Sequence, residues 1–168
     1  LTAVNHATDG WLLFFRAFDS GSNLEIWKSD GTEGGTVMVR DLDSDSHYPK
    51  NLIAMDGILY FLTNADPLNL NYGEELWRSD GTFDGTYRVK NISMYDFYYP
   101  NSYIHDLTPW HHPTLGWMLY FVAWDGANGD EPWRSDGTEA GTVMLADIGV
   151  GNGTGSYPQE LTLVSNTL

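Results

Sequence analysis

The sequence predicts an all-β protein built from three repeats, each of four short antiparallel strands. The hexapeptide Trp-Lys/Arg-Ser-Asp-Gly-Thr occurs three times, which indicates a repeat architecture. Runs rich in β-branched and aromatic residues are separated by Gly, Asp and Asn, which favours strands. No segment keeps a 3.6-residue apolar period over three turns, so we expect almost no helix.

The four strands of a repeat follow from its aligned apolar runs. Each repeat opens with a short apolar stretch, which is the first strand. The second strand contains Leu-Tyr-Phe or its equivalent, and the third strand contains Glu-x-Trp. The fourth strand comes after a Gly-Thr pair and is represented by Val37–Arg40 in the first repeat. The three openings are Leu1–Val4, Leu52–Met55 and Leu107–Trp110.

The hexapeptide, here called the signature, predicts a hairpin loop between the third and fourth strands. Its Asp-Gly step supplies the positive φ of a tight turn, and the glycine of the following Gly-Thr pair is expected to supply a second. We expect the Asp side chains to cap turn amides and the Trp side chains to lie in the core. The structural residues of the signatures are Trp27, Asp30, Gly31, Thr32, Trp77, Asp80, Gly81, Thr82, Trp133, Asp136, Gly137 and Thr138.

Four strands in a repeat of roughly fifty residues are typical of a β-propeller blade, because neighbouring blades cover each other's faces. The signature also resembles the ELWxxDGT repeat of large secreted bacterial proteins, and the segment Glu75–Thr82 matches it best. Ile26 and Pro132 replace the leucine in the other two copies. The resemblance covers essentially the whole chain. It implies propeller-like blades and an extracellular or cell-surface location, and it brings no established activity.

The repeats are assigned to residues 1–51, 52–106 and 107–160, and residues 161–168 repeat the opening strand of a further unit. Closed propellers contain about four to eight blades, so three blades cannot close a ring. We therefore expect the chain to belong to a longer protein or to associate with copies of itself. The extra strand would complete a blade within the chain or in a neighbouring subunit.

The charge of the chain limits its partners. The 23 acidic and 8 basic side chains give a formal charge of −15, which repels phosphate backbones, so no nucleic acid partner is expected. The apolar runs are too short to span a bilayer, so no membrane insertion is expected. The chain has no cysteine, which excludes disulfides, thiolate zinc sites and a thiol nucleophile.

Two acidic loops carry candidate calcium ligands, and calcium is the only cofactor that the sequence suggests. Calcium prefers several carboxylate and amide oxygens on a flexible loop. Neither loop has the twelve-residue calcium signature with its terminal Glu, and solvated turn residues are the alternative interpretation. The candidates are Asp125, Asn128 and Asp130 in one loop and Asp41, Asp43 and Asp45 in the other.

An insertion in the second repeat concentrates aromatic side chains. Exposed rings beside acids and amides stack on sugars in lectins and also pack between subunits, and we favour subunit packing here. The residues expected to contact a glycan or another subunit are Tyr95, Phe97, Tyr98 and Tyr103. Asn91 and Asn152 lie in Asn-x-Ser/Thr sequences and are candidate glycosylation sites.

No residue set in the sequence points to catalysis. There is no nucleophile with an adjacent base, and the most prominent acids recur as part of the repeat. We therefore expect a non-catalytic extracellular structural protein that self-associates, in a filament or a surface assembly. The alternatives are a carbohydrate-binding, lectin-like propeller module and, more remotely, a glycoside hydrolase.

Overall fold

The computed structural model describes residues 1–18, 20–21, 23–42, 48–64, 73–93, 101–150 and 155–162. Within these ranges the chain forms twelve strands and no helix. The strands are β1 (Thr2–His6), β2 (Gly10–Phe18), β3 (Leu24–Ser29), β4 (Val37–Arg40), β5 (Lys50–Met55), β6 (Ile58–Thr63), β7 (Glu75–Ser79), β8 (Tyr87–Arg88), β9 (His105–His112), β10 (Gly116–Trp124), β11 (Asp130–Ser135) and β12 (Val143–Met144).

The strands form three antiparallel sheets of four strands each. Within each sheet, the strands lie side by side in the order in which they occur in the sequence. Sheet 1 contains β1–β4, sheet 2 contains β5–β8 and sheet 3 contains β9–β12. Each sheet carries one signature at the end of its third strand and in the loop that follows. This confirms the all-β class and the four-stranded units. The arrangement of the sheets as propeller blades stays a prediction.

The chain divides into two compact units. The first unit consists of Leu1–Asn71 with Leu76–Arg88, and it contains sheet 1 and nearly all of sheet 2. The second unit consists of Tyr72–Glu75 with Val89–Leu168, and it contains sheet 3.

Each sheet has two faces because successive side chains of a strand point to opposite sides. In sheet 1, face A carries Leu12, Phe14 and Ile26, and face B carries Leu13, Phe15 and Trp27, with Phe15 directly opposite Trp27 in the ladder. The residues at the same positions of face B are Leu59, Phe61 and Trp77 in sheet 2 and Leu119, Phe121 and Trp133 in sheet 3. Trp77 and Trp133 are buried, whereas Trp27 is only half-buried and so departs from the expected core position.

Face A of sheet 1 packs against face B of sheet 2 and forms the core of the first unit. The ring centroids of Phe61 and Trp77 lie 6.3 Å apart within this core. Full burial of a large apolar side chain contributes about 1.5–3 kcal/mol, so this contact is a major source of stability. The buried members are Val4, Leu12, Phe14, Ile26, Val39, Leu42, Leu59, Phe61 and Trp77.

The opening of the predicted fourth unit lies beside sheet 3. Thr108 Oγ1 donates a hydrogen bond to the Leu161 carbonyl at 3.2 Å, as Thr2 Oγ1 does to the Leu52 carbonyl at 3.2 Å. Leu161 therefore stands next to β9 as Leu52, in the opening strand of sheet 2, stands next to β1. Leu161 and Thr162 are not in a strand, and the remaining residues of the predicted strand, 163–168, lie outside the described ranges.

Candidate functional site

Each signature loop is closed by hydrogen bonds between its own side chains and backbone. Asp30 Oδ1 accepts hydrogen bonds from the backbone nitrogen of Thr32 at 2.9 Å and from its hydroxyl at 2.7 Å. Asp80 with Thr82 and Asp136 with Thr138 repeat both bonds at 2.7–2.8 Å. The Asp carboxylate therefore holds the turn, as the sequence pattern predicts for an Asp that is followed by Gly-Thr.

The glycine of each Gly-Thr pair is required for a reason other than the expected positive φ. Gly31, Gly81 and Gly137 have the positive φ of the tight turn, between 86° and 91°, but Gly35, Gly85 and Gly141 do not. A Cβ on Gly35, Gly85 or Gly141 would lie 2.0 Å from the Oδ1 atom of the preceding signature Asp. The expectation of a second positive φ is wrong, and glycine is needed because the carboxylate occupies the space of a side chain.

The hydrogen bonds of the loops lower the pKa of two signature carboxyls. The hydroxyl and the backbone amide of Thr32 stabilise the Asp30 anion, so the pKa of Asp30 is lowered. At Asp80, burial raises the pKa, but the same two hydrogen bonds from Thr82, together with the charges of Arg78 and His6, lower it overall.

A buried glutamate lies two residues before each signature Trp. Its carboxylate accepts hydrogen bonds from the segment that follows the fourth strand of the same sheet and so holds that segment in place. The Glu75 carboxylate accepts hydrogen bonds from the backbone nitrogens of Ile92 and Ser93 and from the Ser102 hydroxyl. Glu131 accepts from the nitrogens of Ile148 and Gly149 and from the Ser156 hydroxyl, and Glu25 accepts from the nitrogen of Leu42. The recurring Glu-x-Trp spacing was a signal for this role, but it does not name donors that lie seventeen or more residues later.

The same hydrogen bonds set the ionisation of Glu131. Burial raises the pKa of Glu131, but the Ser156 hydroxyl and the amides of Gly149 and Ile148 outweigh burial and lower it overall. The pKa of its neighbour Asp130 is raised, mainly by burial and further by the charge of Glu131, although His105 opposes this.

We expect the folded chain to lose stability in acid. The pKa values of Asp30, Asp80 and Glu131 are lower in the folded state, so their stabilisation is present above the unfolded values. It is lost as the pH falls through the folded values, below about pH 4. Asp130, with its raised pKa, acts in the opposite direction and offsets part of the loss. Urea unfolding between about pH 6 and pH 3 measures the effect, and a free energy of unfolding that does not fall would contradict it.

A cation at the end of the fourth strand binds the signature loop of the following sheet. Arg40 Nη1 donates to the carbonyl oxygens of Thr86 at 2.5 Å and Phe83 at 3.4 Å, and its guanidinium lies 4.5 Å from the Phe83 ring centroid. Lys90 Nζ makes the same pair of contacts with the carbonyl oxygens of Thr142 at 2.9 Å and Glu139 at 3.4 Å. The third equivalent position is Ala146, which cannot form such a contact.

Face B is covered in sheets 2 and 3 but open in sheet 1. Leu59 and Leu119 expose 0% of their surface, whereas Leu13 at the equivalent position exposes 38%. The signature loops follow the same pattern. The hydroxyl pairs Ser79–Thr86 and Ser135–Thr142 are buried, and the pair Ser29–Thr36 is exposed.

Sheet 3 leaves different apolar residues open, just after its fourth strand. Leu145 exposes 46% of its surface and Ile148 exposes 60%. The residues at the same two positions of the other repeats are all buried, namely Val39, Leu42, Val89 and Ile92.

Of the predicted calcium ligands, Asp125 and Asn128 are hydrogen-bonded within their own loop, and Asp130 is the first residue of β11. Asp125 Oδ1 accepts from the backbone nitrogens of Ala127 and Asn128, and Oδ2 accepts from Asn128 Nδ2 at 2.7 Å. Asp41 is exposed, and Asp43 and Asp45 lie outside the described residues. In the described ranges no three His, Cys, Asp or Glu side chains are placed to hold a metal ion. Calcium binding stays a prediction.

Most of the predicted aromatic contact residues also lie outside the described ranges. Tyr95, Phe97 and Tyr98 are outside these ranges. The candidate glycosylation site Asn152 is also outside them. Tyr103 is exposed, and its ring lies 6.0 Å from the ring of Trp124. Asn91 is half-buried.

A hairpin motif that sequence analysis missed occurs in sheets 1 and 3. The pattern His-x-Thr-x-Gly-Trp spans residues 6–11 and 112–117 and joins the first two strands of each sheet. His6 Nδ1 accepts from the backbone of Asp9, and His112 Nδ1 accepts from the backbones of Thr114 and Leu115. The Trp that ends each motif, Trp11 or Trp117, is exposed. In sheet 2 the turn Asp56-Gly57 joins the same pair of strands, so the hairpin does not require the motif.

No family model, curated protein or solved structure matches the chain. The resemblance of the signature to the ELWxxDGT repeat therefore stays a prediction, together with the extracellular location that it implies. The part of the chain that the structure describes contains no helix of the length and apolarity needed to cross a membrane.

Proposed function

We propose that this chain is a non-catalytic extracellular structural module that associates with copies of itself, with its three sheets acting as blades of a propeller-like assembly. The observation that carries the proposal is the open face B of sheet 1. Leu13 exposes 38% of its surface where Leu59 and Leu119 expose none. The same apolar position is thus covered in two sheets and uncovered in one.

The contact between sheets 1 and 2 identifies the kind of surface that would cover this face. Face B of sheet 2 is buried by face A of sheet 1, through Leu59, Phe61 and Trp77. Sheet 1 repeats this face with Leu13, Phe15 and Trp27, so it is suited to the same kind of partner. A second copy of the chain carries such a surface. Burial of the open side chains would favour association by about 25 cal/mol per Å² of apolar area, before the costs of binding.

The charge of the chain adds a dependence on salt. Two copies that each carry a formal charge of −15 repel each other, and dissolved ions screen this repulsion. Self-association through an apolar face is therefore expected to strengthen between about 20 mM and 500 mM salt, in contrast to association through ion pairs.

Leu13→Glu tests the proposal, because it places a charge on the open face without disturbing a buried residue. We expect the average mass of the wild-type protein to rise with concentration in sedimentation equilibrium. Leu13→Glu is expected to weaken association by at least about tenfold, which corresponds to about 1.4 kcal/mol. Urea unfolding checks that the variant remains folded.

Phe18→Glu is the matched control, since Phe18 lies on the same strand and exposes 66% of its surface but belongs to face A. It should associate as the wild type does. A wild-type chain that stays monomeric at millimolar concentration would contradict the proposal. Equal weakening by Phe18→Glu would contradict the role of face B.

Glycan binding is a second candidate function, and the exposed indoles of Trp11 and Trp117 favour it. The hairpins of sheets 1 and 3 keep an exposed Trp after a His-capped turn, although sheet 2 builds its hairpin without either. Beside Trp117, the His111 ring lies 5.3 Å away, edge on. An indole face with an adjacent imidazole can stack on a sugar ring and hydrogen-bond its hydroxyls.

We expect oligosaccharide binding to depend on both indoles. Trp11→Ala with Trp117→Ala should abolish binding on a glycan array, and Phe18→Ala, which removes another exposed aromatic ring, should retain it. Failure of the wild type to bind any glycan on the array would remove this candidate and leave self-association standing.

A further inference from the structure

We infer that copies of this chain associate head to tail in one polarity, an inference that rests on the proposed self-association. The docking surface on one copy is face B of sheet 1 with its signature loop. The surface that receives it lies on sheet 3 of a second copy, around Leu145, Ala146 and Ile148.

The contact between sheets 1 and 2 shows how a signature loop is received. A Cβ on Gly81 would lie 3.3 Å from Lys28 Cδ and from Phe14 Cζ, so the loop of sheet 2 rests directly on face A of sheet 1. Arg40 then binds the carbonyl oxygens of Phe83 and Thr86. The apolar contact and the cation contact together define one orientation of the two sheets.

Sheet 1 presents the same loop without a cover. Its Ser29–Thr36 hydroxyl pair is exposed, and the carbonyl oxygens equivalent to those of Phe83 and Thr86 belong to Glu33 and Thr36, two exposed residues. The loop has the same internal hydrogen bonds as the other two, so it needs no rearrangement to dock.

Sheet 3 presents the matching receptor. Arg134 occupies the position of Lys28, and Leu145 and Ile148 occupy the positions of the buried Val39 and Leu42. Leu145 and Ile148 are exposed, as a receiving surface without its loop would leave them, whereas Met118 and Tyr120, at the positions of Leu12 and Phe14, are buried. The open part of the receiving surface is therefore the segment that follows the fourth strand. Ala146 replaces the cation of Arg40 and Lys90, so the contact between copies lacks the hydrogen bonds that join sheets within the chain. We therefore expect this contact to be weaker and reversible.

Two variants with complementary blocked surfaces test the polarity. Leu13→Glu blocks the docking surface, and Leu145→Glu blocks the receiving surface, with Ile148→Asn as a second variant of that surface. Each variant alone is expected to be monomeric in sedimentation velocity. An equimolar mixture of Leu13→Glu and Leu145→Glu should form 1:1 dimers and nothing larger, because each partner retains one functional surface.

Ala146→Arg in the Leu13→Glu copy tests the missing cation contact. Restored hydrogen bonds to the Glu33 and Thr36 carbonyls should tighten the mixed dimer by about tenfold, as expected for bonds from a charged donor. Ala146→Met is the control of similar length without charge and should tighten it less.

A wrong polarity and an absence of self-association give different results with these variants. If Leu145→Glu and Ile148→Asn copies still associate by themselves while Leu13→Glu copies do not, face B pairs with itself and the polarity is wrong. If Ala146→Arg and Ala146→Met bind equally, position 146 does not face the Glu33 and Thr36 carbonyls, and the inferred orientation of the contact is wrong. If wild-type copies do not associate at all, both proposals are wrong.

Discussion

Replacing Glu75 by leucine is expected to lower the free energy of unfolding by about 3–5 kcal/mol. The buried carboxylate of Glu75 accepts hydrogen bonds from two backbone nitrogens, of Ile92 and Ser93, and from the Ser102 hydroxyl. Leucine is of similar size but accepts no hydrogen bond, so it would leave buried donors unsatisfied. Urea unfolding followed by tryptophan fluorescence measures the loss.

Two further variants separate this effect from a general effect of removing charge. Glu139→Leu makes the same substitution at an exposed side chain and should change stability by less than about 0.5 kcal/mol. Glu75→Gln keeps one acceptor oxygen and should lose less than Glu75→Leu. If Glu75→Leu proved as mild as Glu139→Leu, the carboxylate would not fasten the following chain.

Gly85→Ala is expected to lower the free energy of unfolding by about 2–4 kcal/mol. The new Cβ would lie 2.0 Å from Asp80 Oδ1, and the clash would force the carboxylate away from Thr82. The loop is held on its other side by the buried Ser79–Thr86 hydroxyl pair, which limits how far the backbone can give way. Urea unfolding again provides the measurement.

A double-mutant cycle identifies the carboxylate as the cause. In an Asp80→Ala background the clash is absent, so Gly85→Ala should cost much less than it does in the wild type. Gly34→Ala is the control at a loop glycine without positive φ, because its Cβ would have no atom within 4 Å. Equal costs of Gly85→Ala in the two backgrounds would show that the carboxylate is not the obstacle.

Local patterns predicted much of the fold. The β-rich run at Val37–Arg40 and the Asp-Gly step at Asp30-Gly31 depend on side-chain alternation and on backbone dihedral angles, which are properties of short segments. The pattern predicted a positive φ at Gly35, but glycine is required there because the Asp30 carboxylate occupies the space of a Cβ. The position of that side chain is not contained in a sequence pattern. The His-x-Thr-x-Gly-Trp hairpin was missed because it occurs in only two of the three repeats.

By itself the sequence determined the all-β class, the three units of four strands and the place of each signature loop. Repetition and the alternation of apolar and polar residues are properties of the residue order alone. The tertiary structure alone decided which copy of an equivalent residue is covered. Leu13, Leu59 and Leu119 share one position in the pattern, yet only Leu13 is exposed. Burial depends on what packs against a face, and residues far along the chain, or on another chain, supply that neighbour.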